Sequence, residues 1–185
     1  MKKIYILLSR TGTVPSRVIH WFKGGDFTHT SISLEPRTDR FFSYARRKLN
    51  NTLIAGFIVE DIHKGVFSFY PNCKCRVYEL EISDEAYKSI QNQIAYYMEF
   101  YEKAKYNFFG LFTAIFGVST KNALRHTCSQ FVATILDESG AVKLPKKAAA
   151  MLPNDFMEIE NIKLVYDGIL TDCVIIPSET HIQLN

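Results

Sequence analysis

The chain has 185 residues, of which 47% are hydrophobic and 22% are charged, a balance that excludes a disordered chain, a collagen and a coiled coil. Its formal net charge of +3 is too small to indicate nucleic-acid binding, for which a clear basic excess is expected. No run of residues reaches the roughly 20 apolar positions of a membrane span, and the first apolar run, which ends at Leu8, is too short for a secretory signal. We therefore expect one domain over residues 1–185, with no integral membrane segment, in a cytoplasm that keeps its cysteines reduced.

Alternating or continuous apolar residues predict a series of strands along the chain. Their predicted positions are residues 4–8, 28–34, 40–45, 56–59, 75–82 and 162–170. The turn residues at 35–39 predict a hairpin between the second and third strands. Between the first two strands, Pro15 suits the first turn of a short helix that runs toward Phe22.

Two amphipathic helices are predicted in the second half of the chain. One begins at Ser83, a good N-cap residue, and its apolar face predicts a helix of about 18–20 residues. That face repeats at spacings of three and four, at Tyr87, Ile90, Ile94, Tyr97 and Tyr101. The other helix begins near Cys128 and ends at Gly140. Together these elements predict an α+β fold, with an antiparallel sheet packed against helices.

The most apolar segment runs from Phe108 to Val118. It is typical of a buried core helix. It could also form an apolar wall for an acyl chain or a surface for self-association.

Cys128 is the first candidate for chemistry, because it lies in RHTCSQFV (125–132), at the predicted start of a helix. Free backbone N–H groups and the positive end of the helix dipole stabilise an anion there, so the position favours a thiolate. The same N–H groups can hold the oxyanion of a tetrahedral intermediate. A buried structural cysteine is the alternative, since Cys is among the most buried residue types.

His29 is the candidate base, and it lies in the strand FTHTSISL (27–34). A Cys–His pair works because the imidazole accepts the thiol proton and later donates it to the leaving group. A third group should orient the imidazole, and Ser43 is the best-placed polar residue on the next predicted strand. A strand histidine whose hydrogen bonds are satisfied by the backbone is the alternative.

Together, the two motifs resemble the NlpC-type papain-like cysteine hydrolases. The strand FTHTSISL, followed much later by HTCSQFVA at a helix start, is similar to their circularly permuted branch, in which the histidine precedes the cysteine. That branch includes YiiX-like proteins and relatives of lecithin–retinol acyltransferase. The resemblance covers about residues 27–136 and implies that Cys128 is the nucleophile and His29 the base. The family's third polar residue lies on the strand after the histidine strand, where this chain has Ser43.

The stretch KYNF (105–108) is similar to the part of the family that carries a tyrosine at the oxyanion site, so the resemblance implies that role for Tyr106. It also implies a papain-like fold and a cysteine hydrolase, an amidase or peptidase that works through a thioester without a cofactor. The expected substrate is a peptide, an amino-acid amide or an acylated small molecule. A catalytically inactive binding module of the same fold and a lipid acyltransferase or thioesterase stay open as alternatives.

A zinc site is a further alternative. Cys73-x-Cys75 and His126-x-Cys128 supply four possible ligands, although gaps of one residue are unusual in structural zinc sites. Otherwise Cys73 and Cys75 are expected to be strand thiols near a sheet edge. His126 is then a polar loop residue and a rival to His29 as the base. The remaining histidines are predicted to lie at the surface, at positions His20, His63 and His181.

A cluster of basic residues follows the histidine strand. It consists of Arg37, Arg40, Arg46, Arg47 and Lys48. Such a cluster is usually a solvated face, but near the candidate base it could attract a carboxylate or phosphate on the substrate.

Overall fold

A computed structural model describes residues 1–10, 26–48, 51–107 and 124–175. Its strands join into one sheet with the order β7-β6-β4-β3-β2-β1-β5-β8. The strands are β1 (Lys2–Ser9), β2 (His29–Ser33), β3 (Phe41–Lys48), β4 (Asn51–Glu60), β5 (Lys74–Ile82), β6 (Lys105–Tyr106), β7 (Arg125–His126) and β8 (Lys163–Ile169). The predicted hairpin is confirmed, since β2 and β3 pair antiparallel through Ile32 and Phe42.

The sheet is mixed, which corrects the expectation of a purely antiparallel one. The short strands β6 and β7 run parallel to each other, whereas the other neighbouring pairs are antiparallel. Parallel neighbours need a long crossover connection, and the chain between Tyr106 and Arg125 is long enough to supply one.

The described chain has two α-helices, α1 (Asp84–Glu99) and α2 (Cys128–Glu138). The predicted start of α1 is confirmed, because the Ser83 side chain accepts a hydrogen bond of 3.1 Å from the Ala86 N–H. The helix ends earlier than predicted, and Tyr101 lies in the turn that follows it. The predicted end of α2 is also confirmed. Gly140 has a φ of 66°, the left-handed conformation that commonly ends a helix at a glycine.

Alternate residues of β1 face two separate hydrophobic clusters. Ile4, Ile6 and Leu8 belong to the cluster that contains the buried faces of α1 and α2. Tyr5 and Leu7 belong to a smaller cluster with residues of β5 and the chain after β8. Sheet and helices thus give the α+β architecture that the sequence predicts.

A close approach between β4 and β6 fixes the start of β6. Gly56 pairs with Lys105, and a Cβ atom at Gly56 would lie 2.0 Å from the carbonyl oxygen of Ala104. The Arg47 guanidinium donates to that same carbonyl at 2.9 Å and lies 4.0 Å from the centre of the Tyr101 ring. The close contact with Gly56 and the hydrogen bond from Arg47 therefore both fix the position of the turn before β6.

Some predictions fall outside the described residues. They are the short helix from Pro15 toward Phe22, the apolar segment from Phe108 to Val118, and the surface positions of His20 and His181. Within the described ranges, no helix combines the length and hydrophobicity that crossing a membrane requires. The described parts also include short 3₁₀ segments at Phe67–Phe69, Ala148–Ala150, Pro153–Glu158 and Leu170–Asp172.

Candidate active site

Cys128 is the first residue of α2, and a reciprocal pair of hydrogen bonds fixes this helix start. The Gln130 N–H donates to Thr127 Oγ1 at 3.3 Å, and the Thr127 N–H donates to Gln130 Oε1 at 3.1 Å. The Gln130 side chain also donates to the Ala149 carbonyl at 2.9 Å. This capping box orients the first helical turn, and the N–H groups of that turn have no carbonyl partner within the helix. The thiol is buried at this end of the helix, with 3% of the residue exposed.

His29 is the first residue of β2 and lies beside Cys128. The imidazole forms a side-chain hydrogen bond with Cys128. Its Nε2 lies 2.9 Å from both carboxylate oxygens of Glu60. The pair that the sequence predicts as nucleophile and base is therefore in direct contact.

Glu60 belongs to the candidate site and is not predicted from the sequence. It is the last residue of β4 and is buried, with 9% of its surface exposed. The Ser31 hydroxyl donates to Glu60 Oε2 and lies 3.2 Å from His29 Nε2. The strand predicted from the sequence ends one residue earlier, at Val59, and leaves Glu60 outside it. The sequence signal that could have indicated Glu60 is an acidic residue at the end of a strand that follows the predicted hairpin.

Ser43 does not orient the imidazole, which corrects its assignment as the third polar residue. Its hydroxyl donates to the Thr30 carbonyl oxygen at 2.7 Å. The hydroxyl thus satisfies a backbone acceptor of β2, the strand that carries His29. Glu60, from β4 on the far side of β3, supplies the contact with His29 that is expected of Ser43.

Tyr106 also contacts Cys128. The phenol forms a side-chain hydrogen bond with the cysteine, and the Cys128 backbone N–H donates to the phenolic oxygen. Burial and the neighbouring sulfur hold the pKa of Tyr106 well above its usual value. The phenol therefore keeps its proton at neutral pH and can donate it in a hydrogen bond. The Cys128 N–H and the Tyr106 hydroxyl are two donors at one side of the sulfur.

The electrostatics of the site favour a protonated His29. Burial of the ring alone would lower its pKa, but the Glu60 carboxylate and the hydrogen bond with Cys128 outweigh this effect and raise the pKa to about 10. The imidazolium form is thus available at neutral pH, between a carboxylate and a sulfur. An imidazolium beside a sulfur stabilises the thiolate.

The possible zinc ligands do not come together. The Cys73 thiol donates to the Arg10 carbonyl at 3.3 Å, whereas Cys128 contacts His29 and Tyr106. His126 is not the predicted loop residue, because it lies in β7 with its Nε2 3.0 Å from the Tyr97 hydroxyl. In the part of the chain that the structure describes, no three metal-ligating side chains are grouped for a metal ion.

The basic cluster is divided among intramolecular partners. Arg37 pairs with Asp39 at 2.8 Å on the surface, and Arg47 holds the turn before β6. Arg40 lies 5.8 Å from the centre of the Phe42 ring. These three cations therefore have separate partners within the molecule.

Comparison with known protein families finds no matching family model, and comparison with curated proteins finds no significantly similar sequence. Four side chains form a continuous series of contacts from Tyr106 through Cys128 and His29 to Glu60. The series contains a phenol, a thiol, an imidazole and a carboxylate, which are the kinds of group that covalent acyl transfer uses.

Proposed function

We propose that this chain is a cysteine hydrolase that acts through a thioester on a peptide, an amino-acid amide or an acylated small molecule. The observation that supports the proposal is the buried series Tyr106–Cys128–His29–Glu60. A structural cysteine needs neither a charged imidazole nor a carboxylate behind that imidazole. Burying three ionisable groups is costly unless they are paired, so their convergence at a helix start favours catalysis over packing.

The arrangement of elements supports a fold of the circularly permuted papain-like type. The base lies on a strand near the beginning of the chain, and the nucleophile begins a later helix. That helix packs against the sheet through Phe131, Val132 and Ile135, which are fully buried.

In the proposed reaction, the Cys128 thiolate attacks the carbonyl carbon of the substrate and forms a C–S bond. The carbonyl oxygen becomes an oxyanion that accepts hydrogen bonds from the Cys128 N–H and the Tyr106 hydroxyl. His29 donates its proton to the leaving amine or alcohol as the scissile bond breaks. Water then attacks the thioester, and His29 accepts the proton of that water.

Glu60 has a positioning role in this scheme. Both of its oxygens approach the same imidazole nitrogen, so the carboxylate fixes the ring plane and balances the positive charge on His29. A carboxylate performs both tasks better than a serine hydroxyl, because it carries a full negative charge.

The test uses p-nitrophenyl acetate, an activated ester that acetylates reactive cysteines whatever the natural substrate is. Intact-mass measurement should show one acetyl group on Cys128 that disappears as the thioester hydrolyses. Cys128→Ser should lose this label, and His29→Gln should acquire and release it at least about 100-fold more slowly. Cys73→Ser is the matched control and should behave as the unsubstituted chain. A stable label, or equal labelling of Cys73 and Cys128, would indicate a binding module instead.

A further inference from the structure

A second pair of cysteines lies away from the candidate active site. Cys75 is in β5 and pairs with Gly168 of β8, a residue without a side chain. After β8, the chain forms the 3₁₀ turn Leu170–Asp172, and Cys173, which follows it, belongs to the same hydrophobic cluster as Cys75. This turn is tied to the strand by a 2.8 Å hydrogen bond from the Leu170 N–H to the Cys73 carbonyl.

The side chains of Cys75 and Cys173 hydrogen bond with each other inside the smaller hydrophobic cluster. Cys75 is fully buried and Cys173 is 3% exposed. The contact is asymmetric, because the hydrogen bond from Cys75 lowers the pKa of Cys173 while the pKa of Cys75 is raised by the same contact and by burial. Cys173 is the less buried of the two and has the lowered pKa, so it is the thiol placed to react first.

We propose that Cys75 and Cys173 are a reversible disulfide site, oxidised by a peroxide and reduced by a small-molecule thiol. The two thiols interact within one buried cluster, and a disulfide between them requires a Cβ separation of about 3.8 Å. The proposal does not depend on the proposed hydrolase activity.

The chemistry balances with hydrogen peroxide as the oxidant. The Cys173 thiolate attacks one peroxide oxygen, the O–O bond breaks, and the departing hydroxide takes up a proton to become water. The sulfenic acid formed at Cys173 is then attacked by the Cys75 sulfur, which forms the S–S bond and releases a second water. Two thiols are oxidised by two electrons, and one peroxide is reduced to two waters.

Access for the oxidant comes from the outer side of the segment 170–175. Thr171, Asp172 and Val174 are exposed, and Val174 has 65% of its surface in contact with solvent. Cys173 lies between these exposed residues along the chain. A local opening of the turn is therefore sufficient to expose the sulfur.

The bond would close a loop of about 100 residues, a size for which a disulfide restricts the unfolded chain strongly. We expect the oxidised protein to melt about 5–15 °C higher than the reduced protein.

The new bond would lie two strands from the His29 imidazole. Ser9 of β1 pairs with Cys75 of β5 on one side and with His29 of β2 on the other.

The test measures disulfide formation in the full chain treated with hydrogen peroxide, in both the unsubstituted and the Cys128→Ser protein. Free thiols are alkylated in denaturant, and the peptides are mapped by mass spectrometry without reduction. We expect one cross-linked peptide pair that contains Cys75 and Cys173. Dithiothreitol should restore both thiols and lower the melting temperature again.

The matched control is Cys73→Ser, which removes a neighbouring buried thiol and should leave the cross-link intact. Cys75→Ser and Cys173→Ser should each abolish it. The proposal is overturned if Cys75 and Cys173 both alkylate fully after peroxide treatment, or if the cross-link maps to Cys73. Peptide mapping of the unsubstituted protein shows which cysteines are cross-linked even if a serine variant does not fold.

Discussion

The Nε2 atom of His29 is equidistant from the two carboxylate oxygens of Glu60, at 2.9 Å from each. The contact is buried, since the side chains of His29 and Glu60 are only 10% and 8% exposed. The same imidazole also hydrogen bonds with Cys128. Glu60 thus connects the protonation of His29 to the stability of the fold as well as to the proposed chemistry.

The first prediction compares Glu60 with Ser43, the residue that the sequence favours for the same role. Glu60→Gln keeps the size of the side chain but removes its charge, so His29 loses its orientation and the stabilisation of its charged form. We expect acetylation of Cys128 by p-nitrophenyl acetate to slow by about 10- to 100-fold. Ser43→Ala should change this rate less than about threefold, because its hydroxyl serves the Thr30 carbonyl. The opposite ranking of the two variants would restore Ser43 as the orienting residue.

The second prediction concerns the pH dependence of stability. The pKa of His29 is raised from 6.5 to about 10 in the folded chain, so its protonated form stabilises the fold fully below pH 6.5. That contribution is lost as the pH rises from 6.5 through about 10. Glu60→Gln removes the main source of the raised pKa. The difference in unfolding free energy between the two proteins should therefore be about 2 kcal/mol or more larger at pH 6 than at pH 9.

Urea denaturation at the two pH values measures this difference. Asp39→Asn is the control, because it makes the same carboxylate-to-amide change in an exposed ion pair with Arg37. Neither partner of that pair titrates between pH 6 and pH 9, so its effect on the unfolding free energy should be the same at both. If the effect of Glu60→Gln on the unfolding free energy is also the same at pH 6 and pH 9, Glu60 does not raise the pKa of His29.

Local sequence patterns were sufficient to predict the elements that carry Cys128 and His29. A serine cap, a run of apolar residues at helical spacing and a glycine stop are local signals, and α1 and the end of α2 follow them. The bounds of β4 depend instead on its pairing with β3 and β6. Because β4 extends to Glu60, one residue beyond the predicted strand, this carboxylate is buried next to the imidazole.

Ser43 shows why the third polar residue could not be assigned from sequence. The order of strands correctly puts β3 beside β2, but a neighbouring strand offers both backbone and side-chain partners to a hydroxyl. In the structure Ser43 binds the Thr30 carbonyl, a choice set by the local geometry of the strand pair. His126 is a similar case, because its contact with Tyr97 depends on how α1 packs against the sheet.

The third prediction tests the donors at the oxyanion position. Tyr106→Phe keeps the ring in the core but removes the hydroxyl that contacts Cys128. Acetylation by the ester passes through an oxyanion, whereas alkylation by iodoacetamide does not. We expect the acetylation rate to fall by about 10- to 100-fold while the alkylation rate changes less than about threefold. Tyr97→Phe removes another buried phenol, one bonded to His126, and should leave both rates unchanged. Equal losses in the two reactions would argue against an oxyanion role for Tyr106.

The fourth prediction separates the stability of the helix start from its effect on the thiol. Thr127→Ala removes the side-chain acceptor of the capping box at α2, and Ser83→Ala removes the matching acceptor at α1. Each change should lower the unfolding free energy by about 1 kcal/mol in urea denaturation. Only Thr127→Ala should also slow the alkylation of Cys128 by iodoacetamide at pH 6, by about threefold or more. Without the cap, the first turn of α2 orients its N–H groups less firmly around the sulfur, so the thiolate is stabilised less. If the two variants lose equal stability and leave alkylation equally unchanged, the helix start serves the fold alone, and the activation of Cys128 comes from His29.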